Sequence, residues 1–198
     1  MFIEPKISFT DNNNEAGWIE VISGCMFSGK TEELIRRLRR AIIAGQEVAI
    51  FKPSIDERYD EYNVVSHDNT KIPSTAVEKA EEILPLATNC KVVGIDEAQF
   101  FDKKIVNIVN KLANSGKRVI VAGLDMDFEG NPFGSMPQLL AIAEYVTKVH
   151  AICARTGKLA SFSFRLSGES QKILIGEKNI YEPRSRDAFI RGLQDRKS

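Results

Sequence analysis

The chain has 198 residues, enough for one domain with a small appendage and a real hydrophobic core. Its 27 basic and 27 acidic side chains cancel, so no overall field recruits nucleic acid. Three widely spaced cysteines argue against a disulfide framework and for a reducing compartment. With no basic-plus-apolar signal segment and no apolar run of membrane-spanning length, a soluble cytoplasmic protein without a nucleic-acid or membrane partner is expected.

Residues 1–16 end in the turn-prone Asp11-Asn12-Asn13-Asn14-Glu15 and read as a loose leader, although Phe2, Ile3, Ile7 and Phe9 could dock on a neighbour. A short strand over 19–22 then runs into Gly24-Cys25-Met26-Phe27-Ser28-Gly29-Lys30-Thr31, which matches every fixed position of G-x-x-x-x-G-K-[ST]. A helix over 31–44 follows, with Leu34, Ile35, Leu38 and Ile42 on one face. Gly24 and Gly29 let the backbone curl so that successive N–H groups point at phosphate oxygens, and the helix start adds its positive end. Lys30 reaches the outer phosphates and the Thr31 hydroxyl ligates magnesium in such a loop. The alternative is a glycine-rich turn with a chance lysine, and the flanking strand and helix decide against it. Arg36, Arg37, Arg39 and Arg40 read as the solvated or subunit-facing side of the helix rather than a polynucleotide patch.

Gly45 stops the helix, and 47–51 reads as the second strand. Asp56 and Arg58 lie just beyond its carboxyl end, where open α/β sheets hold ligands, or in a merely solvated loop. His67 has no base-and-nucleophile partner in view and reads as structural. The pattern over 75–87 predicts a helix capped by Ser74 or Thr75, with Glu78, Glu81 and Glu82 on the wet side. Then an apolar run from Lys91 ends in Asp96-Glu97-Ala98-Gln99-Phe100-Phe101. A carboxylate at such a strand tip can hold magnesium, which leaves Glu97 free to accept a proton from an attacking group. The plainer alternative is an acid-rich helix start.

A helix over 105–113, a buried parallel strand over 117–122 and a loop over 123–134 come next. The loop's glycines and its Phe128 and Phe133 suggest a wall for a flat ligand, or core plugs. A helix over 137–143 and strand-like 145–152 complete an α/β core at 17–150. Strands over 159–166 and 171–175, with an irregular, charged 176–186, make a small β appendage at 151–189, followed by a polar tail at 190–198.

Together, the P-loop, Asp56-Glu57-Arg58-Tyr59, Asp96-Glu97-Ala98-Gln99-Phe100-Phe101, Ala122-Gly123-Leu124-Asp125, Pro132-Phe133-Gly134 and Ile175-Gly176 with Tyr181 resemble type II thymidine kinases, from Gly17 to Phe189. The resemblance implies a RecA-like α/β fold with a mainly parallel sheet and a closing lasso. It also implies magnesium-ATP-dependent phosphorylation of thymidine and deoxyuridine at the 5′-hydroxyl, feedback by thymidine triphosphate, and a homotetramer. Lys30 and Gly24 to Thr31 (Gly24, Cys25, Met26, Phe27, Ser28, Gly29, Lys30, Thr31), with Asp96, Glu97, Ala98 and Gln99, then fall on donor-binding positions. Glu97 falls on the catalytic base, with Thr31 and Asp96 at the magnesium. Asp56 and Arg58 fall on the acid and arginine facing the transferred phosphate, and Arg165 on a second phosphate-contacting arginine. Phe101, Leu124, Phe128 and Phe133 fall on the thymine wall, and Lys172, Ile173, Leu174, Ile175 and Gly176, with Tyr181, on the lasso over the nucleoside. Another small-molecule kinase would share only the ATP half, and a RecA-like nucleic-acid-dependent ATPase would need a basic surface.

The sequence departs from the family in the appendage, where a structural zinc usually sits between two pairs of ligands. Only Cys153 stands at such a position, with Thr156, Ser185 and Ala188 at the other three. Tetrahedral zinc needs soft or imidazole ligands, so no structural zinc is expected. The lasso is then expected to be held by packing and by a salt bridge of Arg184, Arg186 or Asp187.

Overall fold

The computed structural model describes residues 16–55, 63–65, 71–166 and 180–196. The first strand, β1 (Trp18–Gly24), leads through the P-loop into α1 (Lys30–Ile43) and then β2 (Val48–Pro53). After β3 (Asn63–Val65), β4 (Lys71–Pro73) and β5 (Thr75–Val77) come a short 3-10 turn and α2 (Ile83–Leu86). The chain continues through β6 (Val92–Ile95), α3 (Lys104–Asn114), β7 (Arg118–Leu124), α4 (Met136–Ile142) and β8 (Tyr145–Lys148). The main sheet has six strands in the order β5–β2–β6–β7–β1–β8, and every neighbouring pair is parallel.

The sheet carries helices on both faces, which is why β6 and β7 read as continuous apolar runs rather than alternating ones. Val119 and Val121 of β7 pack toward Ile105, Ile108, Val109 and Leu112 of α3, while Ile120 and Ala122 pack toward Leu34, Leu38 and Ala41 of α1. The helix α1 lies so close to β6 that a Cβ on Gly94 would stand 2.7 Å from Leu38 Cδ1. Glu32 and Glu33 in its first turn and Arg40 in its last complement the helix dipole. Gly24, Ile95 and Leu124 end adjacent strands at one edge of the sheet, so the loops that follow them share that edge.

The remaining chain forms antiparallel β9 (Ala151–Ile152) with β10 (Leu159–Ala160), antiparallel β11 (Phe162–Arg165) with β12 (Tyr181–Arg184), and α5 (Arg186–Asp195). Phe189 of α5 stacks on Phe162 at 4.6 Å and meets Phe164 edge-on at 6.0 Å, a small separate core. Among the described residues no helix is long and apolar enough to cross a membrane.

Five expectations are corrected. The helix over 75–87 is instead strand β5, paired with β2 through Phe51–Thr75, Lys52–Ala76 and Pro53–Val77, then two short helical turns. The open edge of β2 recruits Thr75 and Val77, both β-branched, and Pro85 falls in the first turn of α2, where its missing N–H costs nothing. The single strand over 159–166 divides at Ser161 into strands of two different pairs. The irregular 176–186 contains β12, and α5 carries helix past residue 190 to Asp195, because Ala188, Phe189 and Gly192 bury against the appendage. Arg37 is not solvated: it is fully buried, with Nη1 donating to Glu20 at 2.8 Å and Nε to Glu33 at 2.8 Å.

Candidate active site

Left-handed turns build the P-loop. Gly29 caps α1 at φ 84°, ψ 25°, and Phe27 takes φ 62° without being glycine. A Cβ on Gly24 would sit 2.3 Å from the Val149 carbonyl oxygen, so that position accepts only glycine. Lys30 Nζ donates to the Cys25 carbonyl at 2.9 Å, and Ser28 Oγ donates to the same oxygen at 2.7 Å. The ammonium is thus folded back over the loop that would receive phosphates. Burial pushes the Cys25 thiol above its ordinary pKa, so it stays a neutral packing group.

Sixty-five residues from Thr31 in sequence, Asp96 comes beside it: the Thr31 hydroxyl donates to Asp96 Oδ2 at 3.2 Å. Asp96 Oδ1 accepts the Glu97 N–H at 2.9 Å, and the Asp96 N–H is held by the Phe51 carbonyl at 2.9 Å. A hydroxyl and a carboxylate beside a phosphate cradle form a hard, oxygen-only set that fits magnesium. Glu97 is left-handed at φ 50°, ψ 41°, a strained conformation for a side-chain-bearing residue. Its carboxylate accepts a hydrogen bond from Gln99 Nε2, while Gln99 Oε1 accepts the Leu124 N–H at 2.9 Å.

The expected nucleoside wall is partly assembled. Phe101, Leu124 and Tyr181 are buried, Phe128 and Phe133 are half-buried, and Phe133 meets Phe100 edge-on at 5.7 Å. The loop bearing Phe128 and Phe133 is preset: Asp127 Oδ1 accepts the N–H groups of Glu129 and Asn131, each at 2.9 Å, and Phe133 N–H bonds the Asp125 carbonyl. Arg165 is fully buried, its guanidinium 3.6 Å from the Phe128 ring centre, and it donates to the Tyr181 hydroxyl at 2.8 and 3.1 Å. Asp56, Arg58, His67, Lys172, Ile173, Leu174, Ile175 and Gly176 lie outside the described residues.

Two features escape sequence reasoning. Met26 N–H donates to Ser163 Oγ at 3.0 Å and the Cys25 thiol to the Ala160 carbonyl at 3.3 Å, so the appendage grips the crown of the P-loop. Lys148 of β8 pairs with buried Asp125 at 2.9 Å, just beyond the end of β7. Ser163, Ala160 and Lys148 belong to no motif, and only the fold brings them to Met26, Cys25 and Asp125.

The four positions of the family's zinc site do meet. Thr156 Oγ1 and Ser185 Oγ lie 3.3 Å apart, and Cys153 packs with Ala188. Burial raises the Cys153 thiol, but hydrogen bonds from Thr156, from the N–H groups of Ser185 and Arg155, and from the Ser185 hydroxyl outweigh it and hold its pKa at about 6. One sulfur, two hydroxyls and a methyl group do not fit tetrahedral zinc. Around them Glu182 takes Arg184 at 2.6 Å and Arg155 at 2.8 Å, and Arg184 lies 3.4 Å over the Phe164 ring centre. A Cβ on Gly192 would strike Arg184 Nη1 at 1.8 Å, so α5 closes on that guanidinium only through a glycine.

A parallel α/β sheet with a P-loop, a facing strand-tip carboxylate and a second acid beside it defines a P-loop nucleotide-binding fold of kinase type. The thymidine kinase family model matches residues 17–189. The chain is 58% identical over 189 residues to a thymidine kinase of Rhodothermus sp., covering 96% of this chain and 88% of that protein. It is 57% identical over 195 residues to a thymidine kinase of Bacteroides fragilis, covering 98% and 96%, and 58% identical over 173 residues to one of Porphyromonas gingivalis, covering 87% and 85%. The chain belongs to the thymidine kinase family. Membership implies a nucleoside and ATP as substrates.

Proposed function

We propose that the chain transfers the γ-phosphoryl group of ATP to the 5′-hydroxyl of thymidine, and of deoxyuridine, to supply deoxynucleoside monophosphate for DNA synthesis. The observation that carries this reading is the Thr31–Asp96 hydrogen bond at the P-loop mouth, with Glu97 next in the chain. Lys30 and the loop N–H groups bind the donor phosphates, and Lys30 exchanges the Cys25 carbonyl for a phosphate oxygen. Thr31 and Asp96 would hold magnesium, which when bound neutralises charge on the phosphates. Glu97 takes the proton of the 5′-hydroxyl as it attacks in line. Arg58 and Arg165 oppose the charge of the moving group, with Asp56 beside them. Phe101, Leu124, Phe128 and Phe133 wall the base, and the lasso residues with Tyr181 close over it.

The working form in this reading is a cytoplasmic homotetramer inhibited by thymidine triphosphate, with a lasso that closes without zinc. Steady-state ADP release with thymidine tests the donor and the feedback together. Activity is expected to vanish with a chelator, return with added magnesium, and fall as thymidine triphosphate is added. Full turnover in the chelator contradicts the metal assignment, and indifference to a large excess of the triphosphate contradicts the feedback.

A further inference from the structure

We infer that Gln99 is a positioning residue: it aims the Glu97 carboxylate by tying it to the end of β7, in place of the donor-binding role implied by the family resemblance. The inference rests on Glu97 being the base. Gln99 is 3% exposed, and both ends of its amide are used within the protein. Nε2 donates to Glu97 and Oε1 accepts the Leu124 N–H at 2.9 Å. A carboxylate on one side and a backbone N–H on the other demand a group with a donor at one end and an acceptor at the other. Among side chains of this length only glutamine supplies both.

The slot that receives this amide is built for it. A Cβ on Gly123 would stand 2.8 Å from Gln99 Oε1 and 2.6 Å from Met136 Sδ. A Cβ on Gly134 would stand 2.3 Å from the Gln99 carbonyl oxygen. Two segments flanking the nucleoside wall have thus given up side chains to let Gln99 lie between them. Without this tether the Glu97 carboxylate would lose its link to the end of β7, on a backbone already held in a left-handed conformation. Leu124 is itself an expected wall residue, so a single side chain links the seat of the base to the group that removes the proton. General-base catalysis is steep in geometry, and a displacement of about 1 Å can cost about 10²-fold.

The test is a mutant cycle on the full-length protein with magnesium-ATP and thymidine. Gln99→Met keeps length and volume but loses both hydrogen bonds, and Gln99→Asn keeps the amide but cannot span the gap. Each is expected to lower kcat about 10- to 100-fold while KM for thymidine moves less than about threefold. The double variant Glu97→Gln with Gln99→Met is expected to be no slower than Glu97→Gln alone, since Gln99 acts through Glu97. A kcat within threefold of normal in either folded Gln99 variant, with Glu97→Gln crippled, overturns the inference. So does multiplication of the two losses in the double variant, or a rise in KM for ATP that accounts for the whole Gln99 defect. Near-normal turnover in Glu97→Gln instead overturns the base assignment itself, a different failure. Should Gln99→Met fail to fold, Gln99→Asn carries the same comparison.

Discussion

Glu97→Gln is expected to leave the fold intact and lower turnover by about 10²-fold or more. The substituted amide matches the carboxylate in shape and retains an oxygen for the Gln99 donor, so the loop from Asp96 to Phe101 keeps its course. It cannot take a proton. The loss therefore falls on kcat, with KM for both substrates near normal, because Lys30, Thr31 and Asp96 still form the phosphate site. Steady-state kinetics beside a thermal melt check both halves. Turnover near normal would move the base elsewhere.

Glu20→Ala is expected to produce a large loss of stability. Glu20 is fully buried and accepts Arg37 Nη1 at 2.8 Å, Arg118 Nε at 2.7 Å and the Trp18 indole N–H at 2.8 Å. Removing it leaves two buried guanidinium groups facing one another, with Glu33 still on Arg37 but no carboxylate between them. Breaking a buried ion pair by deleting one partner costs about 3–5 kcal/mol. At about 2–4 °C per kcal/mol for a chain of this size, the melting temperature should fall by roughly 6–20 °C. A fall of under about 2 °C would mean the network contributes little. The same cluster joins β1, β7, α1 and, through Arg37 Nη2 and the Thr147 hydroxyl at 2.8 Å, the edge strand β8. It thereby braces the helix that starts at the P-loop.

The part of the candidate site that the structure assembles, around Lys30, Thr31, Asp96 and Glu97, is legible in the sequence because its pattern is local. Eight consecutive residues specify the phosphate loop, and two adjacent carboxylates at a strand tip specify its partner. Arg37 departs from expectation because a run of arginines on a helix is usually solvated. Its burial depends on Glu20, seventeen positions away, which no helical periodicity reveals. The acids at 78, 81 and 82 have helical spacing, which makes the segment containing β5 look helical in the sequence. The free edge of β2, a tertiary fact, captured Thr75–Val77 first. The motif places Gln99 in the sequence but does not reveal its task, since the Leu124 N–H it accepts comes from the end of β7, 25 residues away. At the family's zinc positions the sequence itself displays Thr156, Ser185 and Ala188, and Arg184 is among the charges it offers for holding the lasso. The Glu182 bridge and the Phe162–Phe189 stack emerge only when β12 and α5 are in place.

The measurement that tests the proposed activity most directly is ADP release with magnesium-ATP against thymidine, deoxyuridine, deoxycytidine, deoxyadenosine and deoxyguanosine, with the product identified. Turnover confined to thymidine and deoxyuridine, yielding the 5′-monophosphates, is the predicted result. No release with thymidine, or equal release with the purine nucleosides, would contradict it.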